Sequence, residues 1–218
     1  HDKFDEILKR SDENSNFERF EFNHPIYILY SSGTTGIPKC IVHGAGNALI
    51  EQKKELSIHC DVKENDKVFY FTTTGWMMWN WQVAALSCGA SIYLYDGSPF
   101  YPSLDVLIKY CEKNKFTLFG VGAKYIDHLK NEKFVGLKYD LSNLKTITST
   151  GSPLVSESFE YVYKNIKEDV HLSSISGGTD VVGCLVIGNV LQSVYAGEIQ
   201  SPSLGIEIDI LDDDGNSI

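Results

Sequence analysis

Short apolar runs alternate along the chain with longer segments in which apolar residues recur every three or four positions. The short runs are typical of buried strands, and the longer segments are typical of amphipathic helices. The predicted strands are residues 26–29, 68–72, 91–95, 116–120, 144–149 and 170–175. The predicted helices are residues 47–59, 79–88, 104–114, 123–131 and 156–166. Strands separated by single helices form βαβ units, so the pattern predicts an α/β fold with a doubly wound, mostly parallel sheet and helices on both faces.

The two ends of the chain depart from this alternation. Residues 1–22 are charged and rich in Asn and Ser, and we expect a lead-in segment there that is helical or frayed. Residues 23–183 form the predicted α/β subdomain. After Gly183 come strand-like runs without helices between them, at residues 184–187, 197–200 and 205–211. A hairpin-turn signal follows at 212–215, so we expect residues 184–218 to be the start of a truncated, β-rich subdomain.

The composition restricts the class of protein. The chain has 218 residues, of which 43% are hydrophobic and 22% charged, as is ordinary for a globular domain with one sizeable core. Its formal net charge of −10 disfavours nucleic-acid and anionic-membrane partners. No apolar run approaches the roughly 18 residues of a membrane span, and the charged start does not resemble a signal peptide. We therefore expect neither a nucleic-acid nor a membrane partner.

The cysteines are odd in number and scattered without any CxxC spacing; they are Cys40, Cys60, Cys88, Cys111 and Cys184. This pattern predicts reduced, mostly buried thiols in a cytoplasmic protein. The six histidines are equally dispersed, and none forms a HExxH pair. A zinc site is therefore disfavoured.

A loop rich in glycine, serine and threonine follows the first predicted strand, and residues 30–39 read YSSGTTGIPK. Glycines leave backbone N–H groups free, hydroxyls add donors and Lys39 adds a positive charge, a combination that suits a polyphosphate. The loop lacks the order Gly-Lys-Ser/Thr of a Walker A loop. Pro38 also biases Ile37 toward an extended backbone, so we expect no helix directly after the loop. The alternative interpretation is a solvated turn.

Two further segments of small polar residues follow predicted strands. Residues 149–153 read STGSP, and their backbone can approach a flat ring such as a purine; the alternative is a plain turn before a helix. Residues 174–180 read SISGGTD, and the Asp180 carboxylate there suits a magnesium ion that bridges phosphate oxygens. The alternative is a hairpin turn. Because ligands of open α/β sheets bind beyond the carboxyl ends of the strands, we expect all three segments to share one edge of the sheet.

Three tryptophans lie within residues 76–81, which read WMMWNW. Such a cluster is usually core, but after a strand end its alternative interpretation is the wall of an acyl pocket. Lys53 and Lys54 are interpreted as part of a solvated helix face. Two glycine patterns, at 44–46 and 120–122, lack the third glycine of a dinucleotide-binding loop, which disfavours a Rossmann dehydrogenase.

Taken in order, YSSGTTGIPK, TGSP and SGGTD resemble signatures of the adenylate-forming superfamily, which includes acyl-CoA synthetases, luciferases and peptide-synthetase adenylation domains. One branch of the superfamily, whose members activate acetoacetate, is matched by a longer series of strings that covers residue 24 to the end of the chain. These strings are SSGTTGIPKCIVHG, FTTTGWMMWNW, LYDGSP, AKYI, STGSPL, SISGGTDV and VYAGEIQ.

The resemblance implies a reaction and a set of binding residues. The superfamily condenses a carboxylate with ATP to an acyl-adenylate and pyrophosphate, and then transfers the acyl group to the thiol of coenzyme A. By resemblance, the β- and γ-phosphates are held by Ser31, Ser32, Gly33, Thr34, Thr35, Gly36 and Lys39. The adenine is flanked by Gly151, Ser152 and Pro153. The adenosine and α-phosphate are contacted by Ser174, Ile175, Ser176, Gly177, Gly178 and Thr179.

The resemblance also implies a metal ligand and an acyl pocket. Asp180 stands where the superfamily usually has a magnesium-binding Glu, and Lys39, Thr179 and Asp180 are the predicted catalytic residues. The predicted acyl pocket is Trp76, Met77, Met78, Asn80, Thr150 and Gly177. Relatives that use acetate have a tryptophan at the position of Gly177, so its absence is expected to open the pocket to a longer acid such as acetoacetate. Asn80 is expected to donate a hydrogen bond to a carboxylate or a 3-oxo group.

The resulting hypothesis is an ATP-dependent acid–thiol ligase of lipid metabolism that uses acetoacetate, ATP, Mg²⁺ and coenzyme A. By the resemblance, the chain is the central part of a longer enzyme and works with N- and C-terminal parts of the same enzyme. Two alternatives stay open: a synthetase for another short acid, and a nucleotide-binding fragment with no turnover of its own. An unrelated NTPase or kinase is disfavoured because the Walker lysine is missing.

Overall fold

The structure is a computed structural model that describes residues 4–10, 17–31 and 36–218. The helices are α1 Phe4–Arg10, α2 Ala45–Lys54, α3 Met77–Ala84, α4 Val106–Asn114, α5 Ala123–Asn131 and α6 Ser156–Asn165. The strands are β1 Pro25–Tyr30, β2 Cys40–Gly44, β3 Lys67–Tyr70, β4 Ser91–Tyr93, β5 Leu118–Gly122, β6 Thr146–Thr150, β7 His171–Ser174, β8 Ser176–Gly178, β9 Gly183–Ile187 and β10 Ser201–Pro202. A π-helical turn at Glu55–His59 extends α2, and a 3₁₀ turn at Ala85–Cys88 extends α3.

The centre of the fold is a parallel sheet of five strands in the order β4-β3-β5-β6-β7. Its strands are short and mostly buried, as expected when both faces of a sheet are covered. One face packs on α2 and α3 through Leu56, Met78 and Trp81. The other face packs on α4, α5 and α6 through side chains such as Leu107, Ile126, Leu129, Phe159 and Val162. The predicted doubly wound α/β fold is confirmed.

The first predicted strand lies elsewhere than expected. β1 pairs antiparallel with β2 in a separate two-stranded hairpin, rather than joining the parallel sheet. Ile26, Ile28 and Tyr30 are 51%, 57% and 69% exposed, so the strand is not a buried one. The prediction was wrong because a run of four apolar residues looks the same in a covered strand and in a hairpin strand with one open face.

The β-rich region also differs in detail from its prediction. β8, β9 and β10 form an antiparallel sheet in the order β10-β9-β8, which begins before the predicted boundary at residue 183. The third run, 205–211, makes only a single bridge, between Leu211 and Ser217. The turn itself is confirmed: the Gly215 N–H donates to the Asp212 carbonyl, and Gly215 has a φ of +85°. The division of the chain at residue 183 stays a prediction.

The strand order reverses next to β3, since β4 lies on one side of β3 and β5 lies on the other. Ligands of doubly wound sheets bind at such a switch point, beyond the carboxyl ends of the strands. In the part of the chain that the structure describes, no helix is long and apolar enough to cross a membrane.

Candidate functional site

A cavity of about 440 Å³ opens beyond the carboxyl ends of β6 and β7. Three segments that the sequence singled out converge on it: residues 76–78, 150–153 and 174–179. Gly183, Cys184 and Ile199 complete the described lining. All of these lining residues are uncharged, so the cavity suits the flat and apolar parts of a ligand, with charged groups placed at its rim.

The turn after β6 brings the backbone close to an aromatic side chain. Gly151 has a φ of +86°, a conformation that favours glycine. A Cβ at this position would lie 3.8 Å from the Trp76 ring, so the turn and the ring form adjoining parts of the wall. Thr150 donates its hydroxyl hydrogen to the Ile175 carbonyl at 2.9 Å. This bond ties the end of β6 to the segment after β7.

The Trp-Met-Met segment provides the apolar wall. Met77 and Met78 begin α3, and both contact the cavity. Trp81 does not reach the cavity; it is fully buried and packs edge-on against Tyr70. Trp81 therefore belongs to the core, whereas Met77 and Met78 belong to the wall of the cavity. Each of the two interpretations of the sequence holds for some of these residues.

Asn80 was predicted to line the acyl pocket, and it is not among the described residues that line the cavity. Its side chain is buried and hydrogen-bonds the hydroxyl of Tyr27 in β1. Burial raises the pKa of Tyr27, and the bond from Asn80 offsets part of that effect. Position 80 therefore faces the hairpin and not the cavity.

Gly177 does line the cavity, but its missing side chain does not point there. A Cβ at this position would lie 2.1 Å from the Gly183 carbonyl oxygen and 2.7 Å from the Cα of Cys184. The structure thus gives a reason for this glycine other than the predicted opening of the pocket: β8 and β9 approach each other too closely for any side chain. Its neighbour Gly178 is different, since a Cβ there would meet the Asp180 carboxylate at an ordinary 3.5 Å.

Part of the glycine- and hydroxyl-rich loop lies outside the described residues, namely Ser32, Gly33, Thr34 and Thr35. Its two ends are held together, because the Ser31 N–H donates to the Lys39 carbonyl at 3.0 Å. Lys39 is exposed and leads directly into β2, which confirms that no helix follows the loop. The loop connects β1 and β2 of the hairpin. It was predicted to follow a strand of the parallel sheet, as the other two segments do, and it does not.

A histidine that sequence reasoning missed connects this hairpin to the cavity. His43 in β2 places its Nε2 atom 2.8 Å from the Thr179 carbonyl oxygen. A carbonyl can only accept, so the histidine donates from Nε2. The string SSGTTGIPKCIVHG contains His43, but only its loop residues carry the pattern of a phosphate-binding segment.

Asp180 is exposed at the rim, next to Thr179. Among the described residues, no group of three or more His, Cys, Asp or Glu side chains is arranged to hold a metal ion. Mg²⁺ typically takes only one or two protein carboxylates and completes its shell with water and phosphate oxygens. A single rim carboxylate therefore fits a magnesium ion that arrives with a nucleotide.

Cys184 lines the cavity without being a candidate nucleophile. The thiol is buried, and burial together with the nearby Glu55 carboxylate raises its pKa well above the ordinary value. The thiolate is the reactive form, so this thiol is inert at neutral pH. Cys184, Gly183 and Ile199 were not predicted as site residues; only the string VYAGEIQ, which contains Ile199, hinted at one of them.

Several known proteins are similar to this chain in sequence or in fold. The acetoacetyl-CoA synthetase of Rhizobium meliloti is 53% identical over 93% of this chain and 31% of that protein. The malonamoyl-CoA synthetase of Penicillium aethiopicum is 42% identical over 88% of this chain and 29% of that protein. The structure of the acetoacetyl-CoA synthetase from Streptomyces lividans matches with a TM-score of 0.90 and 38% identity, over 98% of this chain and 34% of that one.

The chain thus spans about a third of the length of these relatives. The family model described as AMP-binding enzyme matches residues 2–218, which is nearly the whole chain. This chain belongs to the AMP-binding enzyme family.

Proposed function

We propose that this chain is the nucleotide- and acid-binding part of an acid–CoA ligase, and that the enzyme at its full length makes acetoacetyl-CoA. The observation that carries the proposal is the convergence of residues 76–78, 150–153 and 174–179 on one uncharged cavity. In the proposed first step, a carboxylate oxygen attacks the α-phosphorus of ATP and pyrophosphate leaves. In the second, the thiol of coenzyme A replaces AMP.

The lining supports the positions that we propose for the nucleotide. The turn 151–153 flanks the adenine, and residues 174–179 contact the adenosine and the α-phosphate. The loop ending at Lys39 holds the β- and γ-phosphates. A lysine suits this role because the leaving pyrophosphate gains negative charge in the transition state. The contact between His43 and Thr179 supports a loop that reaches over the same ligand.

Mg²⁺ would be held by Asp180 and by phosphate oxygens, and it would supply neutralisation of the charge on the transferring phosphate. Thr179 precedes Asp180 and lines the cavity, so its proposed role is to orient the α-phosphate beside the metal. Lys39, Thr179 and Asp180 therefore remain the proposed catalytic residues. No residue is proposed as a general base, because the attacking carboxylate is already ionised at neutral pH.

The proposed acid is acetoacetate, and Trp76, Met77, Met78 and Thr150 are the residues proposed to enclose it. The names of the relatives support this choice: acetoacetate and malonamate both carry a carbonyl on the third carbon and differ only in a methyl or amino group beyond it. We infer that the pocket recognises this shared 3-oxo acid shape. Asn80 is not proposed to contribute, because it faces Tyr27.

A cytoplasmic enzyme of lipid metabolism is part of the same proposal. All five cysteines are free, and Cys60, Cys111 and Cys184 are buried, as is typical of reduced thiols in a reducing compartment. The proposed partners are the small substrates and the further N- and C-terminal parts of the same enzyme, in line with the share of the relatives that the chain spans.

The test is a substrate panel on the full-length protein with ATP, Mg²⁺ and coenzyme A. Acetoacetate, malonamate, butyrate and acetate are compared, and AMP, ADP and pyrophosphate are each measured. We expect AMP and pyrophosphate as products, and acetoacetate or malonamate to exceed butyrate in kcat/KM by about tenfold or more, since butyrate lacks the 3-oxo group. Release of ADP would refute adenylation, and a preference for butyrate or acetate would refute the proposed acid.

A further inference from the structure

Three buried polar side chains project from one face of α2 and its π-helical extension. Gln52, Glu55 and His59 are 1%, 0% and 3% exposed. Their spacing of three and four residues places them in a row on the helix. Buried polar groups are costly unless they are hydrogen-bonded, so such a row calls for partners on the element that it packs against.

Two members of the row bind backbone groups that flank β9 and β10. Gln52 donates from Nε2 to the Val182 carbonyl at 3.0 Å. His59 accepts the Leu204 N–H at Nε2, at 3.1 Å. Its Nδ1 must then carry the hydrogen, which it donates to the Gly188 carbonyl at 2.8 Å. Each bond is to a main-chain group, so the row holds the path of the backbone and not particular side chains.

Glu55, the central member, has the largest set of partners. Its Oε1 accepts the Cys184 N–H at 2.6 Å, and its Oε2 accepts the Trp81 indole N–H at 2.8 Å. The Ser203 hydroxyl lies 3.3 Å from Oε1. Lys54 donates to the Ser203 hydroxyl at 2.7 Å and lies 4.0 Å from Glu55 itself, so it is engaged in this network and does not form the solvated face that the sequence suggested.

The approach of β9 to this carboxylate is close. A Cβ at Gly183 would lie 2.9 Å from Oε1 of Glu55 and also 2.9 Å from Oε1 of Glu51. Gly183 and Cys184 both line the cavity. A glycine at position 183 therefore lets β9 contact the Glu55 carboxylate directly.

The second partner of Glu55 leads to another wall of the same cavity. Trp81 lies one helical turn after Met77 in α3, and Met77 and Met78 line the cavity. The position of the Trp81 indole therefore fixes how far this end of α3 stands from β9. One buried carboxylate connects the strand that carries Cys184 with the helix that carries both methionines.

We propose that Glu55 is a positioning residue for the acid: by binding the Cys184 N–H and the Trp81 indole together, it sets the spacing between β9 and α3 and hence the fit of the acyl group. Glu55 does not touch the substrate. The inference rests on the proposed function, in which Met77 and Met78 enclose the acid, and it adds that the acid lies between these methionines and Cys184.

Glu55 gains or loses its proton near pH 7. Burial, followed by its interaction with Glu51, raises its pKa to about 7, while the bonds from Cys184 and Trp81 favour the ionised form. The other titratable groups around it are Lys54 on its own helix, His59 and Cys60 after it, and Cys184 on β9. Protonation weakens an acceptor on which both walls depend, so the fit of the acid should change with pH near 7.

The principal test compares Glu55→Gln with Asp105→Asn in the full-length protein. Gln keeps the shape of Glu but turns an N–H group toward one of the two donors. Asp105 is a matched control, because it too accepts hydrogen bonds from a serine and an aromatic side chain, Ser103 and Tyr139, and pairs with a lysine, Lys109. Asp105 is the residue directly before α4, which packs on the opposite face of the sheet.

We expect Glu55→Gln to lower kcat/KM for the acid by about tenfold or more, because a charge-assisted bond is lost, and to change KM for ATP by less than about twofold. The ratio of kcat/KM for acetoacetate to kcat/KM for butyrate should decrease. The dependence of kcat/KM for the acid on pH near 7 should disappear. Asp105→Asn should leave the preference and the pH profile unchanged. If Glu55→Gln behaves like Asp105→Asn, Glu55 is only structural and the proposal is wrong.

Trp81→Phe provides a second arm if Glu55→Gln does not fold. It removes one donor and keeps an aromatic ring in the core, and we expect the same narrowing of preference to a smaller degree. Unchanged preference in a folded Trp81→Phe variant would also overturn the proposal. All comparisons use the acid that the wild-type protein uses best, so failure of the proposed function, seen in the wild-type panel, is distinguishable from failure of this inference.

Discussion

His43 and Thr179 form the contact that joins the loop hairpin to the cavity, with 2.8 Å between the histidine Nε2 and the threonine carbonyl oxygen. The two residues are far apart in sequence and in different parts of the fold, since His43 is in β2 and Thr179 is in the turn that follows β8. The hairpin carries Lys39 and the segment around Thr179 lines the cavity. This bond therefore helps to fix the position of the two proposed halves of the nucleotide site relative to each other.

Replacing His43 should separate these halves. We expect His43→Phe to lower kcat/KM for ATP about fivefold, because a neutral hydrogen bond contributes about 1 kcal/mol. His43→Gln retains an N–H donor of similar reach and should recover most of that loss. Steady-state kinetics with varied ATP on the full-length protein make the measurement. Equal defects in both variants would show that the donated hydrogen bond is not what matters.

Lys39 should matter through its charge. Lys39→Ala is expected to lower the rate of acid-dependent ATP–pyrophosphate exchange about 100-fold, the scale of effect seen when one group that stabilises a transition-state charge is removed. Lys53 on α2 is an exposed lysine and a suitable control, so Lys53→Ala should exchange at the wild-type rate. An active Lys39→Ala variant would remove this residue from the proposed catalytic set.

The two adjacent glycines of β8 should respond differently to an added methyl group. Gly177→Ala places a Cβ 2.1 Å from the Gly183 carbonyl, and we expect it to lower the free energy of unfolding by about 1–3 kcal/mol or more. Gly178→Ala meets only the Asp180 carboxylate at 3.5 Å and should be tolerated. Thermal unfolding of both variants provides the measurement.

The same geometry predicts the outcome of Gly177→Trp. The sequence suggested that this variant would narrow the pocket and favour small acids. The position of the missing Cβ instead predicts disruption of the β8–β9 pairing, with loss of activity toward all acids. A folded Gly177→Trp variant that prefers acetate would restore the pocket argument and show that β9 can move aside.

His59 should make stability depend on pH. Burial lowers its pKa below the ordinary 6.5, and the neutral ring makes both of its hydrogen bonds. Below pH 6.5 the unfolded chain binds more protons at this site than the folded chain, so the contribution of His59 to stability is lost as the pH falls. The maximum slope is about 1.4 kcal/mol per pH unit.

Glu55 acts in the opposite sense. Its folded-state pKa of about 7 exceeds the ordinary 4.5, so the stability it contributes is lost as the pH rises through 7. Urea unfolding of wild-type and His59→Gln proteins between pH 5 and 8 separates the two effects, because Gln can donate and accept as the neutral ring does but does not titrate. The free energy of unfolding of His59→Gln, relative to that of the wild-type protein, should rise as the pH falls toward 5. A relative free energy that does not change with pH would contradict the role given to His59.

Local sequence determined the regular elements and the pieces of the site. α5 begins and ends where its periodicity predicted, at Ala123 and Asn131, because helical spacing acts over a few residues. The segments 149–153 and 174–180 were predicted for the same reason, since small polar residues after a strand are a local pattern. The resemblance to the adenylate-forming superfamily also rested on such strings.

Tertiary structure decided which pieces meet and which way they face. The pairing of β1 with β2, the direction of Asn80 toward Tyr27 and the close approach at Gly177 all depend on backbone far away in the chain. The row of Gln52, Glu55 and His59 reads in sequence as an ordinary polar helix face. Only the position of β9 above it turns these side chains into buried partners of the cavity wall, because burial and hydrogen bonding are set by long-range packing and not by neighbours in sequence.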